Sequence, residues 1–206
     1  MTGSKRFLDN PINWSFPVGS LLGIRIRLHV LFVLGAVILL AHSASQAGGG
    51  SWLMAVVEGL GSVVILFLIV LLHEFGHCFG ARYVGGSAHE ILMWPLGGLA
   101  TVSTPHTARA NLITAIAGPL VNVVICALIA IALIVMTRSG WAVPWNPFRF
   151  GQTGVPIAST THRWLVIIFG ISYLILLFTW LRSSPWTAVG SSNACSGRLR
   201  AFIRLP

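Results

Sequence analysis

Charge is scarce in this sequence. Only 8% of its 206 residues are charged, and four are acidic: Asp9, Glu58, Glu74 and Glu90. With 55% apolar residues and a mean hydropathy of +0.85, a water-soluble domain of this length is excluded, because its polar side chains could not cover its surface. Long polar stretches are missing too, which excludes a separate soluble domain and leaves one membrane domain. Cysteine is rare: Cys78, Cys126 and Cys195 have neither disulfide nor metal-site spacing, and the first two fall in apolar runs where a thiol acts as a small hydrophobe. No internal repeat, heptad or low-complexity tract is present, which excludes solenoids and coiled coils. No small-residue cleavage pattern follows the first apolar run near Leu28, so that run is expected to remain as a span.

What is present is a series of apolar runs with basic residues between them. The 13 Lys and Arg residues give a net charge of +9. They flank the runs instead of forming one face, so the charge reports topology, and no nucleic-acid partner is expected. Residues 1–27 read as a cytoplasmic lead in which Gly23 to His29 alternates apolar and polar side chains, a short extended approach to the membrane. Leu28 to about Ala44 is a first, short span, and Trp52 to about Ala81 a second, longer one. Asn111 to Met136 is a third, interrupted by Gly118-Pro119, and Trp164 to Leu181 a fourth. Arg82 to Arg109 holds Gly85-Gly86, Pro95, Gly97-Gly98 and Pro105 and cannot be one helix. A re-entrant loop or hairpin tucked against protein fits, because irregular backbone at membrane depth must be shielded from lipid.

The expected fold is therefore an all-α polytopic membrane protein of about four transmembrane helices, with that loop or hairpin between the second and third. Residues 28–181 form its core and 182–206 a basic tail. Ten basic residues fall in the lead, middle loop and tail, against Arg138, Arg149 and Arg163 on the other side. Both termini are therefore expected in the cytoplasm.

His73-Glu74-Phe75-Gly76-His77 is the pattern H-E-x-x-H within the second span. On a helix, imidazoles at i and i+4 project from one face and can bind one metal ion, while Glu74 stands beside it as a general base toward water. Ionisable groups within a span cost roughly 2.5 to 3.5 kcal/mol each on the mildest insertion scale. Three of them in five positions therefore point to a site. Imidazole with carboxylate favours zinc, which makes nearby water acidic. His29, His89, His106 and His162 are single residues at span ends or in loops, where an interfacial or solvated ring is the default. Asn122 within a span needs a hydrogen-bond partner, most simply another helix.

Three motifs occur in order: His73-Glu74-x-x-His77, then Pro95-Leu96-Gly97-Gly98, then Ala117-Gly118-Pro119-Leu120-x-Asn122. Together they resemble the site-2 protease family of intramembrane zinc metalloproteases, over about residues 18 to 178. The lead Gly23-Ile24-x-Ile26-Arg27-Leu28-His29 is similar to one branch of that family. The resemblance implies that His73 and His77 bind zinc, that Glu74 is the catalytic base, and that Pro95 to Gly98 borders the substrate cleft. It further implies a membrane-protein substrate cleaved within or beside its transmembrane segment.

The resemblance breaks at one place. The family supplies its third ligand from an Asp in a late motif like Asn-x-x-Pro-x-x-Pro-Leu-Asp-Gly-Gly, whereas no carboxylate side chain follows Glu90 here. A catalytic zinc normally takes three protein ligands. Back-translation restores the motif. Trp186-Thr187 must be encoded TGG-ACN, and one base earlier that reads GAC, an Asp codon. Synonymous choices in the same frame give Asn-Leu-Ala-Pro-Phe-Leu-Pro-Leu-Asp-Gly-Gly-Arg. Loss of a single A from TTT-AAC-CTG-GCT-CCG yields Phe178-Thr179-Trp180-Leu181-Arg182. The expectation is a tail frameshifted from about Thr179, with the ancestral Asp where Thr187 stands. Two other readings compete: a catalytically impaired or fragmentary relative that keeps a metal half-site, and a metal transporter, which would need further polar ligands in other spans.

Overall fold

The computed structural model describes residues 14–45, 51–94, 97–146, 156 and 159–182. The elements run β1 (Ser15–Leu21), β2 (Ile24–His29), α1 (Val30–Ser45), α2 (Trp52–Tyr83), β3 (Ser87–Trp94), β4 (Gly97–Ser103), α3 (Ala108–Thr137), a 3-10 turn (Gly140–Ala142) and α4 (Thr160–Arg182). Helices dominate, but the all-α expectation is corrected: β1 to β4 form one four-stranded sheet in sequence order, parallel between β2 and β3 and antiparallel elsewhere.

Local sequence explains the strands. In β2, Ile24 and Ile26 are buried and Arg25 is exposed; in β3, Ile91 and Met93 are buried in alternation, and Ala88 lies beyond a register shift before Glu90. Such alternation has the period of a strand and is too short for a span. Leu22 (φ 54°) and Gly23 (φ 76°) make a two-residue turn between β1 and β2, a geometry whose twist matches paired strands and which glycine adopts without strain. The anticipated hairpin between the second and third spans is β3–β4. Arg25 and Arg27 on β2 pair with Glu90 on β3.

Among the described residues three helices, α2, α3 and α4, are long and apolar enough to cross a membrane, and α1 is a shorter apolar helix. The expected count of about four spans thus becomes three, plus a 16-residue helix that rises about 24 Å. The third span is not interrupted: α3 continues through Pro119. A proline inside a membrane helix is tolerated where neighbouring helices support the freed backbone.

The core lies against the second half of α2. Val70, Leu71, Phe75 and Cys78 pack with Ile24, Ile26, Ile91 and Met93 of the sheet. On the opposite side, Gly76 and Gly80 let α3 approach closely: a Cβ on Gly76 would stand 2.6 Å from the Ala117 carbonyl oxygen, and one on Gly80 2.7 Å from the Ala117 Cβ. Small residues four apart are the usual device for close helix contact in lipid. One half of α2 is therefore enclosed by protein while the other faces outward. At the far end, Glu58 of α2 is ion-paired with Arg163 of α4.

Candidate metal centre

His73, Glu74 and His77 sit on the enclosed half of α2, which packs against the sheet on one side and α3 on the other. His73 and Glu74 are buried, at 5% and 6% exposure. The two Nε2 atoms face each other at 3.2 Å. Two imidazoles on a tetrahedral zinc with Zn–N of 2.0 to 2.1 Å would have their nitrogens about 3.3 Å apart. The pair therefore already has the spacing of two ligands on one ion.

Surrounding groups fix each member. His77 Nδ1 lies 2.8 Å from the Thr114 carbonyl oxygen, which can only accept, so that nitrogen carries the proton and Nε2 presents its lone pair. Gly118 leaves room for the ring, since a Cβ there would overlap His77 Nε2. Glu74 Oε2 accepts a hydrogen bond from the Ala100 amide of β4 at 3.1 Å, and a Cβ on Gly98 would overlap the Glu74 side chain. The hairpin thus delivers both a hydrogen-bond donor and an unobstructed wall to Glu74. A cleft of about 700 Å³ opens beside these groups, lined by Val70, Gly98, Leu99, Thr114, Ile175 and Phe178 among others.

The structure brings His73, Glu74, His77, Gly97 and Gly98 to one cleft. Pro95 and Leu96 lie outside the described residues, as does Thr187. His89 and His106 are exposed. The solvated default fails for His29 and His162, each 1% exposed; His29 stacks on Trp94. Asn122 is fully buried and donates to the Ser172 carbonyl oxygen of α4 at 3.3 Å, so it does bond to another helix. Sequence reasoning missed Thr114 and Ala100. Both act through backbone atoms that every residue type carries, so neither left a signal. Among the described residues no group of three or more His, Cys, Asp or Glu side chains is disposed to hold a metal. Glu58, which a permeation path would need, is instead paired with Arg163.

The sequence profile of Peptidase family M50 matches residues 61–198, more than half of the chain. The chain belongs to this family. A zinc metalloprotease of Methanocaldococcus jannaschii is 33% identical over 114 residues, covering 55% of this chain and 31% of that protein. A Synechocystis protein also named as a zinc metalloprotease is 34% identical over 131 residues, 58% of this chain and 32% of its own length. The chain spans about a third of these curated relatives. Among solved structures, the site-2 protease from M. jannaschii superposes with a TM-score of 0.50 at 25% identity, over 84% of this chain and 65% of that one. As an M50 chain with three membrane-capable helices, the molecule is a membrane protein.

Proposed function

We propose that this chain is the core of an intramembrane zinc metalloprotease, with His73 and His77 as zinc ligands and Glu74 as the catalytic base. It would hydrolyse a peptide bond of another membrane protein, within or beside that protein's transmembrane helix. The observation that carries the reading is the convergence of two imidazole Nε2 atoms at 3.2 Å and a buried carboxylate on one cleft of a membrane helix. Zinc bound by the pair supplies Lewis acidity, making water acidic and polarising the scissile carbonyl. Glu74 takes a proton from the attacking water as its oxygen bonds to the carbonyl carbon, and returns it to the amide nitrogen as the C–N bond breaks. The Ala100 amide holds Oε2, which fixes the carboxylate's rotation while the other oxygen works. β4 is the last strand of the sheet, and its free edge suits an unwound substrate segment pairing as an added strand, which would satisfy backbone groups that a helix otherwise satisfies internally.

The third ligand belongs to this proposal. The lining of the cleft by Ile175, Phe178 and Thr179 at the end of α4 means that the chain leaves α4 next to the histidines. We propose that the frame slips at about Thr179, and that the ancestral Asp at the position of Thr187 followed directly from this helix. The test is to read the nucleotide sequence over codons 175 to 190. The chain as written and its frame-restored version are then expressed and assayed for zinc content and for cleavage of a membrane-anchored reporter. The restored chain is expected to hold stoichiometric zinc and cleave, and the chain as written to bind zinc weakly. Equal cleavage by both would overturn the frameshift and point to a different third ligand. Cleavage by neither, with zinc bound by the restored chain, would favour the impaired relative.

A further inference from the structure

Among the buried side-chain atoms without a hydrogen-bond partner are His73 Nδ1, Asn122 Oδ1, Thr114 Oγ1 and Ser172 Oγ. The first two belong to side chains within reach of each other, Asn122 of α3 and His73 of α2. Buried polar groups are nearly always paired, so adjacent orphans call for an explanation. The hydrogen-bond directions supply one. With its proton on Nδ1 toward Thr114, His77 presents a lone pair at Nε2, so the 3.2 Å contact between the rings requires His73 Nε2 to donate. A neutral His73 then carries a lone pair on Nδ1. The Asn122 amide nitrogen donates to the Ser172 carbonyl, which leaves its amide oxygen as the atom without a partner. Two acceptors cannot bond to each other.

The mismatch reverses with the tautomer. If both Nε2 lone pairs turn to one cation, the His73 proton must sit on Nδ1, where it has a buried acceptor waiting. We propose that Asn122 is a positioning residue that selects the metal-binding tautomer of His73, accepting the Nδ1 proton through Oδ1 while its own amide is anchored on α4. The inference rests on the zinc reading above. It assigns Asn122 an outer-shell role through which α4 is tied to the metal helix. Outer-shell partners of ligating histidines typically change metal affinity ten- to a hundredfold.

The full chain in detergent, probed with zinc alone in competition with a chromophoric chelator, tests it. Asn122→Leu removes acceptor and donor and is expected to weaken zinc binding by about ten- to a hundredfold. Asn122→Asp keeps the acceptor toward His73 but loses the donor to Ser172, and should bind zinc at least as well as the parent. Ser172→Ala removes only a hydroxyl and should leave affinity unchanged. On zinc addition the proton of the His73 ring should move to Nδ1, and its ¹⁵N–H resonance should report a hydrogen bond in the parent and in Asn122→Asp that is absent in Asn122→Leu, a signature that a merely structural role would not give. Equal losses for Asp and Leu, no loss for Leu, a loss in Ser172→Ala, or an unchanged tautomer would each overturn the proposal. If Asn122→Leu does not fold, Asn122→Asp and the spectrum still decide. His73→Ala and His77→Ala separate the two levels: were zinc binding indifferent to them, the metal centre itself would fall, whereas their loss beside a silent Asn122→Leu would sink only the Asn122 role.

Discussion

Single side chains at the centre have separable duties, and that makes them testable. Glu74 is anchored by the Ala100 amide, so Glu74→Gln in the frame-restored chain should keep its zinc yet lose cleavage by roughly a hundredfold or more. Zinc analysis beside the reporter assay checks both halves. Gly118 acts by its missing side chain. Gly118→Val would push the His77 ring off the Thr114 carbonyl, and is expected to lower zinc affinity while the protein still inserts and elutes as before; an unchanged affinity would show that the ring has another resting place. The H-E-x-x-H pattern was fully legible in the sequence because i, i+4 spacing on an apolar helix has few other uses. The Thr114 and Ala100 contacts were not, since a main-chain atom has no letter of its own.

Elements obey packing rules that the sequence showed only in part. The spans were readable from apolar runs, and the alternation of Gly23 to His29 marked a strand. The sheet as a whole was hidden, because β2 and β3 pair across α1 and α2, and pairing at that separation leaves no local trace. The continuity of α3 through Pro119 was also illegible, since it depends on the neighbours that support the freed backbone. The Gly76–Gly80 seam is the element-scale feature most open to test. Gly80→Leu should force α2 and α3 apart at a cost of about 1 to 3 kcal/mol, the usual penalty for overpacking, read as a lower unfolding midpoint in mixed micelles. Cleavage should fall in the same variant, because Thr114, on the displaced surface, also holds His77.

At the scale of the whole molecule, the basic residues predict an orientation. If the sheet and Arg82 lie at the cytoplasmic side, a Tyr83→Cys variant, exposed at the end of α2, should react with a membrane-impermeant thiol reagent in inverted vesicles and stay unmodified in right-side-out ones. The reverse pattern would place the cleft on the other face and overturn the assigned topology.

Arg82 also joins distant parts of the chain: its guanidinium donates to the Leu22 carbonyl at 2.9 Å and to the Ala88 carbonyl at 3.5 Å, while Arg25 lies opposite Glu90 in the parallel pair. This has a consequence for biosynthesis. The β1–β2 hairpin leaves the ribosome before α1 and α2, and its partner strand is made only after both helices. Contacts so far apart in sequence are slow to close, and an unpaired strand edge invites wrong partners meanwhile. The nascent hairpin is therefore expected to stay without its neighbour until β3 emerges to receive it and Arg82 latches the turn.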